Sequence, residues 1–414
     1  MSPPTHSDTV FIKAGFHKGM GVMDTAMDTA REAVQAERAA NQVACLGVLA
    51  EADEARTIGV ISEATGLSRP TVGAVLEDLV ELGMVEGVSA ATAGPGRPAR
   101  AFRFAREGGL VAGVDLGPRG ARAVICDLSG RRAGYAEAPP HKHADLALIS
   151  RALDAAAGSF DLDLDLGRLR AIGVALPGVV ETDGRLRASL AMPDLVGLPV
   201  AELLAKDLGR PVVVDNDIKL AGLAEQRAGA GRGYSDVVYL QIGHRLSVSV
   251  VLDGSIRQGS HRLAGELGAQ RGMRWTRNAR RGQLVWSSRP TSAQVLSAAA
   301  AGDADAQAEV EDFCAQIAER VATVLLVVDP EVVVVRGGAA KDVGALLRPL
   351  EAAIEKELVF PERPSFVASG LGREAVVLGA VGNAFDQCGS EIYGVHGYPS
   401  PWARITHDVE GITK

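Results

Sequence analysis

Asn216 and Asp217 close the run PVVVDND, Pro211 to Asp217. An apolar run of this length reads as a buried strand. A carboxylate at its C-terminal end, facing a cleft, suits hydroxyl binding or general-base work. The plainer use of Asp217 is to cap a helix starting at Ile218, and capping does not exclude ligand binding. A second stretch, LQIGHRLSVSVVLDG from Leu240 to Gly254, has the outline of a strand, a tight turn and a strand. Such a turn holds a phosphate only if its backbone N–H groups curl into a concave nest. Here one glycine, Gly243, is followed by His244 and Arg245. A third stretch, RGMRWTRNARRGQLVW, carries Arg271, Arg274, Arg277, Arg280 and Arg281. These could grip a phosphorylated effector or a DNA backbone, and a solvated loop is the blander reading. His244 and His261 are isolated, as turn and surface histidines are.

A different chemistry belongs to Thr57 to Val88, TIGVISEATGLSRPTVGAVLEDLVELGMVEGV. Gly66 ends a first helix where a left-handed residue is wanted. Ser68 is an N-cap, and Pro70 is tolerated in the first turn of the next helix. Val72, Val75, Leu76 and Leu79 then form one buried stripe at i, i+3, i+4 and i+7. Arg69, Thr71, Ala74 and Asp78 face the other way. A Gly/Pro tip and the alternation Ala101, Phe102, Arg103, Phe104 make a β-ribbon, with Arg97 and Arg100 in its turn. Helix, turn, helix and ribbon in this order predict a winged helix-turn-helix. Ser68, Arg69 and Thr71 are its expected major-groove contacts, with Arg97 and Arg100 reaching backbone or minor groove. The helical part is acidic, so phosphate contacts must lean on the wing and on helix N-termini.

The elements that position these residues follow from length and pattern. A chain of 414 residues exceeds one compact core. Its net charge of −8 provides no overall cationic field for nucleic acid, so any DNA contact must come from a local patch. Cys45, Cys126, Cys314 and Cys388 form no C-x-x-C pair, which points to a reducing compartment and no thiolate metal site. The most apolar segment, Val321 to Val335, is broken by Asp329-Pro330 and reads as helix, turn and buried strand rather than a membrane span. With no secretory signal in view, a cytoplasmic location is expected. Residues 1–35 read as a mobile leader, 36–106 as the winged helix, 109–393 as an α/β unit with two lobes and a cleft, and 394–414 as a tail.

GVDLG, ALPGVV, VDNDIKLAGLAE, VLDG, AGELG and VVVVRGG stand in the order and at about the spacing of the ROK family of repressors and sugar kinases. The stretch from Gly109 to about Tyr393 resembles that family. With the winged helix in front, the chain resembles the ROK transcriptional regulators. The resemblance implies an actin-like, ribonuclease-H-like fold in two lobes. It also implies that Asn216 binds a sugar hydroxyl, that Asp217 holds the general-base position and that Glu266 binds a second hydroxyl.

Several positions depart from the family pattern. Ala269 replaces a histidine that bridges sugar and zinc, and no cysteine cluster follows it, so no zinc is expected. In the first phosphate loop Pro118 and Arg119 replace a glycine and a small hydroxyl residue, removing an N–H donor and adding bulk. In the second, Arg245, Ser247, Val248 and Ser249 stand where glycines would, and side chains with a β-carbon resist the positive φ of a nest. Gly337-Gly338 of the nucleotide-side turn survive. ATP binding and phosphotransfer are therefore expected to be lost, and no cofactor is expected. The reading is a repressor controlled by a sugar or sugar derivative, acting as a homodimer on a pseudo-palindromic operator. Its rivals are a sugar kinase with a DNA-binding appendix and a constitutive DNA-binding protein with a dead pocket.

Overall fold

The computed structural model describes residues 20–89, 100–140, 145–159, 165–280, 282–337 and 342–406. They divide into two compact units, one ending at Phe104 and joined by the short segment Val395–Gly397, the other formed by Ala105–Gly394 and Tyr398 onward.

The first unit contains α1 (Met20–Ala50), β1 (Arg56–Thr57), α2 (Ile58–Thr65), α3 (Arg69–Glu81), β2 (Val85–Ser89) and β3 (Arg100–Phe104). Gly66 takes φ 74° and ends α2, as the sequence requires. Ser68 caps α3, accepting from the Thr71 N–H at 3.2 Å. Val72, Val75, Leu76 and Leu79 are buried together. The three strands pair in the order β1-β3-β2, with Val85 opposite Phe104 and Ser89 opposite Arg100. Arg97 lies outside the described residues. Residues 20–35, expected as part of the leader, lie in α1, which runs without a break to Ala50. No apolar stripe marks 20–35. A helix anchored by buried Cys45, Leu46 and Leu49 propagates through such residues because elongation costs far less than nucleation.

The second unit opens with β4 (Leu110–Gly117), β5 (Gly120–Asp127), β6 (Arg132–Ala138), α4 (Ala147–Ala157) and β7 (Leu169–Leu176). A small ribbon, β8 (Val179–Val180) and β9 (Leu186–Ala188), leads to α5 (Val200–Leu208), β10 (Val212–Asn216) and α6 (Asp217–Ala228). The other lobe has β11 (Val237–Ile242), β12 (Leu246–Leu252), β13 (Ser255–Ile256), α7 (Ser292–Ala300), α8 (Ala304–Val328), β14 (Val332–Arg336), α9 (Gly344–Glu355) and β15 (Ser365–Ala368). The chain closes with α10 (Ala375–Gln387), α11 (Gly389–Tyr393) and α12 (Trp402–Ile405).

The two lobes repeat one plan. The first sheet is ordered β10-β7-β4-β5-β6 and the second β13-β12-β11-β14-β15. Each is an antiparallel meander with two parallel strands added beside its first strand. One face of each sheet packs on its own apolar cluster, through Leu110, Ala112, Val114 and Leu116 in the first and Val238, Leu240, Ile242 and Val335 in the second. Strand alternation sends Gly113 and Asp115 to the opposite face of the first sheet, and Tyr239 and Gln241 to the opposite face of the second. Helix α10 lies on that first-sheet face without intervening side chains. A β-carbon on Gly173 would stand 1.8 Å from the Ala380 carbonyl oxygen, and one on Gly379 would stand 2.0 Å from that of Leu220 in α6.

The segment expected as a C-terminal tail docks on the second unit. Trp402 is buried and its indole N–H donates to Asp386 at 3.1 Å. The Tyr398 ring meets that of Tyr393 edge-on, with centroids 4.6 Å apart. Two aromatic anchors hold the segment, and irregular backbone leaves no periodicity by which a sequence reading could find them.

Candidate functional site

Asn216, not Asp217, is the N-cap of α6. Its Oδ1 accepts from the Lys219 N–H at 3.0 Å and its Nδ2 donates to the Gly178 carbonyl at 2.7 Å. One Nδ2 hydrogen remains for a ligand. Asp217 is the first residue of the helix. Its Oδ1 accepts from the Ile218 N–H at 2.9 Å, and its second oxygen has no protein donor among the described residues. Burial pushes the Asp217 carboxyl up to about 7, and the negative charges of Asp115 and Glu266 push the same way. Burial likewise raises Asp115 and Glu266, against the pull of Arg122 on the first and Lys219 on the second. Two of the three expected ligand residues, Asp217 and Glu266, therefore share one electrostatic neighbourhood with Asp115. Asn216 beside them shapes the helix end. A carboxyl that titrates near neutrality can accept a proton or a hydrogen bond from a hydroxyl.

The inner faces of the two sheets contribute residues that sequence reasoning did not select. Arg336 ends β14, a strand otherwise made of valines, and is buried. Its Nη1 donates to the Gln241 side chain and its Nη2 to the Arg373 carbonyl at 3.3 Å, while Nε has no partner. The buried Tyr239 hydroxyl lies beside the Arg336 guanidinium. An arginine inside a valine strand was the available signal. Asp115 pairs with Arg122 at 3.4 Å on the first sheet.

A clasp joins the two lobes through Asp215. Asp215, on β10, accepts from Gln258 Nε2 and Arg262 Nη2, both at 2.8 Å. Arg262 Nε donates to the Val180 carbonyl at 2.9 Å, and the Lys219 ammonium donates back to the Arg262 carbonyl at 2.9 Å. The clasp lines a cavity of about 430 Å³, whose walls do not include Asn216, Asp217 or Glu266. Asp215→Ala leaves a partly buried guanidinium without its counter-charge and takes the stronger of two negative charges from a buried ammonium. It is expected to cost about 2 kcal/mol, a figure reduced from that of a fully buried pair because solvent reaches the arginine. Urea unfolding measures it, and an unchanged midpoint would reduce the clasp to a surface pair.

Corresponding hairpin turns of the two sheets carry the residues expected to have lost a phosphate. Gly117 pairs with Gly120, so Pro118 and Arg119 alone make the β4–β5 turn. Ile242 pairs with Leu246, and Gly243, His244 and Arg245 close β11 to β12, with the Gly243 N–H donating to the Arg245 carbonyl at 3.0 Å. No residue of this second turn has a positive φ. Burial, and then the positive charges of Arg119 and Arg245, hold the His244 imidazole below its ordinary value. Arg119 thus reaches the neighbourhood of the other turn from the opposite sheet. Gly337 is buried at the end of β14, and Gly338 lies outside the described residues. Ala269 ends a 3₁₀ turn that begins at Leu267.

In the first unit Ser68 and Arg69 are exposed at the N-terminus of α3, and Thr71 is half-buried. The Ser68 and Thr71 hydroxyls bond each other at 2.7 Å. The Arg69 guanidinium lies over Gly59 of α2, 3.6 Å from where a β-carbon would stand. In the wing, Arg100 lies over the Phe102 ring at 4.9 Å. Arg103 of β3 pairs with Glu86 at 2.7 Å.

The ROK family model matches residues 111–273 and 272–385, more than half of the chain. The chain belongs to the ROK family. A MarR family model matches residues 38–94, over the winged helix. A bifunctional enzyme NanE/NanK of Brucella suis is 32% identical over 228 residues, 51% of this chain and 42% of that enzyme. The DNA-binding transcriptional repressor Mlc of Escherichia coli is 32% identical over 104 residues, 25% of this chain and 26% of the repressor. In both, the aligned part spans less than half of the relative. A solved ROK transcriptional regulator, described as a homologue of the Escherichia coli Mlc protein, superposes with a TM-score of 0.61 at 20% identity. The match covers 90% of this chain and 99% of the regulator. That likeness bears out the expected two-lobed actin-like fold behind a winged helix. No helix among the described residues is long and apolar enough to cross a membrane.

Proposed function

We propose that this ROK protein is a sequence-specific DNA-binding regulator, a repressor, whose two-lobed unit holds a sugar or sugar-derived effector and does not transfer phosphate. The observation that carries the reading is the pair of hairpin turns beside the cleft. One has Pro118 and Arg119 as its whole link, and the other has no left-handed residue among Gly243, His244 and Arg245. A nest of converging N–H groups needs such residues. Asp217 and Glu266, with the remaining Asn216 hydrogen, bind effector hydroxyls. A homodimer places two α3 helices on a pseudo-palindromic site. The effector acts by binding more tightly to one of two states of the protein, since equal affinity would shift nothing.

The regulator reading is tested by fluorescence anisotropy on duplex DNA selected by the protein, with and without a panel of sugars. Arg69→Ala is expected to reduce discrimination between selected and random duplex by about 1–3 kcal/mol. Equal losses on both duplexes would make Arg69 a phosphate contact. A sugar kinase is the second reading, favoured by Asp217 titrating near 7, where a general base works well. Sugar-dependent ADP release that Asp217→Asn abolishes would establish it and remove the proposal.

A further inference from the structure

We infer that the arginine-walled hollow lined by residues of 272–280 with Gly282 and Val285 is a second ligand site, one that takes a small phosphate ester. The hollow has a volume of about 630 Å³, and Arg274, Arg277 and Arg280 line it together with Met273 and Val285. That volume falls in the range of small-molecule sites. Arg277 is paired with Asp312 at 2.7 Å. Arg274 and Arg280 have no side-chain hydrogen bond or ion pair among the described residues. A fourth guanidinium, that of Arg245, stands beside Gly282 at the wall, 2.7 Å from where a β-carbon would be.

The loop is held in place. Trp275 and Leu284 are buried in the apolar cluster of the second lobe. The Arg277 N–H donates to Gln316 at 2.7 Å, and the Leu284 N–H to the His244 carbonyl at 2.9 Å. Arg280 and Gln283 exchange both backbone bonds, at 3.0 and 2.9 Å. Ordering the walls in advance reduces what a ligand loses on binding.

Gathering like charges into a concavity is unfavourable until an anion enters, and this chain is otherwise acidic, with a net charge of −8. Guanidinium forks match phosphate oxygens in pairs, and several forks around one hollow favour a dianion over a carboxylate. A hollow of this size, open on one side, matches a compact ester, whereas a DNA backbone needs an extended surface. Neither Asp217 nor Glu266 lines the hollow, so the site stands whether or not the cleft binds a sugar.

Isothermal titration of the full chain with inorganic phosphate, glucose 6-phosphate and glucose tests it, at an ionic strength held near 0.15 M so that screening is constant. Both phosphates are expected to bind saturably at one site per chain. Arg274→Gln with Arg280→Gln should weaken them by about tenfold or more, equivalent to 1.4 kcal/mol. Arg348→Gln, on an exposed arginine of α9, should change nothing. Circular dichroism checks that the double variant folds, and Arg274→Lys with Arg280→Lys provides a variant that keeps charge and loses the forks, with an intermediate loss expected. Absence of saturable phosphate binding, or full retention in the glutamine double variant, overturns the inference. Displacement of bound phosphate by a stoichiometric random duplex would assign the hollow to DNA and overturn it equally.

Discussion

Gly173→Ala is expected to destabilise the two-lobed unit by at least about 3 kcal/mol. A β-carbon there would lie 1.8 Å from the Ala380 carbonyl oxygen, and the obstacle is backbone in the middle of a buried helix. Overpacking a core usually costs about 1–3 kcal/mol when flexible side chains give way. Here α10 must move off β7, and α10 is also held against α6 through Gly379. The displacement therefore spreads to the helix that carries Asp217. All three tryptophans, Trp275, Trp286 and Trp402, belong to this unit, so fluorescence-detected urea unfolding reports on it directly. Gly117→Ala is the control, because nothing lies within 4 Å of the added atom, and its change should be under about 0.5 kcal/mol. Equal midpoints for the two variants would show that the close approach is not needed for stability.

Asp217→Asn is expected to stabilise the protein by roughly 2–4 kcal/mol at pH 8 and to do almost nothing at pH 4. The native carboxyl titrates at about 7 against an ordinary 3.8, chiefly because burial disfavours its charge. Between those values the native state holds a proton that the unfolded chain has released, so stability falls as pH rises through the window. Below it both states are protonated and the difference disappears. Asparagine never ionises, so the variant keeps at high pH the stability that the parent has only at low pH. The lower end of the range allows for water at the partly exposed carboxyl. Thermal unfolding from pH 4 to pH 8 measures the divergence. Parallel curves for the two proteins would mean that Asp217 is ionised without cost and that the site is wetter than its surroundings indicate. That cost supports the ligand role proposed for Asp217.

The winged helix was legible almost residue by residue. Gly66, Ser68 and the stripe from Val72 to Leu79 act through their own helix turns, so local patterning is enough to place them. Strands β7, β10, β11 and β14 were also readable as apolar runs, and Asn216, Asp217 and Glu266 were chosen from motifs whose neighbours are close in the chain. Local pattern missed the start of α1 at Met20 and the docking of Trp402, where the stabilising contact comes from elsewhere in the fold.

Composition and spacing by themselves determined an α/β chain with a winged helix in front, a lone glycine in the second turn and an arginine-rich loop. Only tertiary structure decided that Asn216 rather than Asp217 caps α6, and that burial, with Asp115 and Glu266 beside it, raises the Asp217 carboxyl. It alone joined Asp215 to Gln258 and Arg262 and aimed Arg274 and Arg280 into one hollow. These are distances between groups far apart in sequence. They depend on sheet order, helix packing and the glycine contacts beneath α10, and a one-dimensional pattern carries residue types without the separations that set charge and desolvation energies.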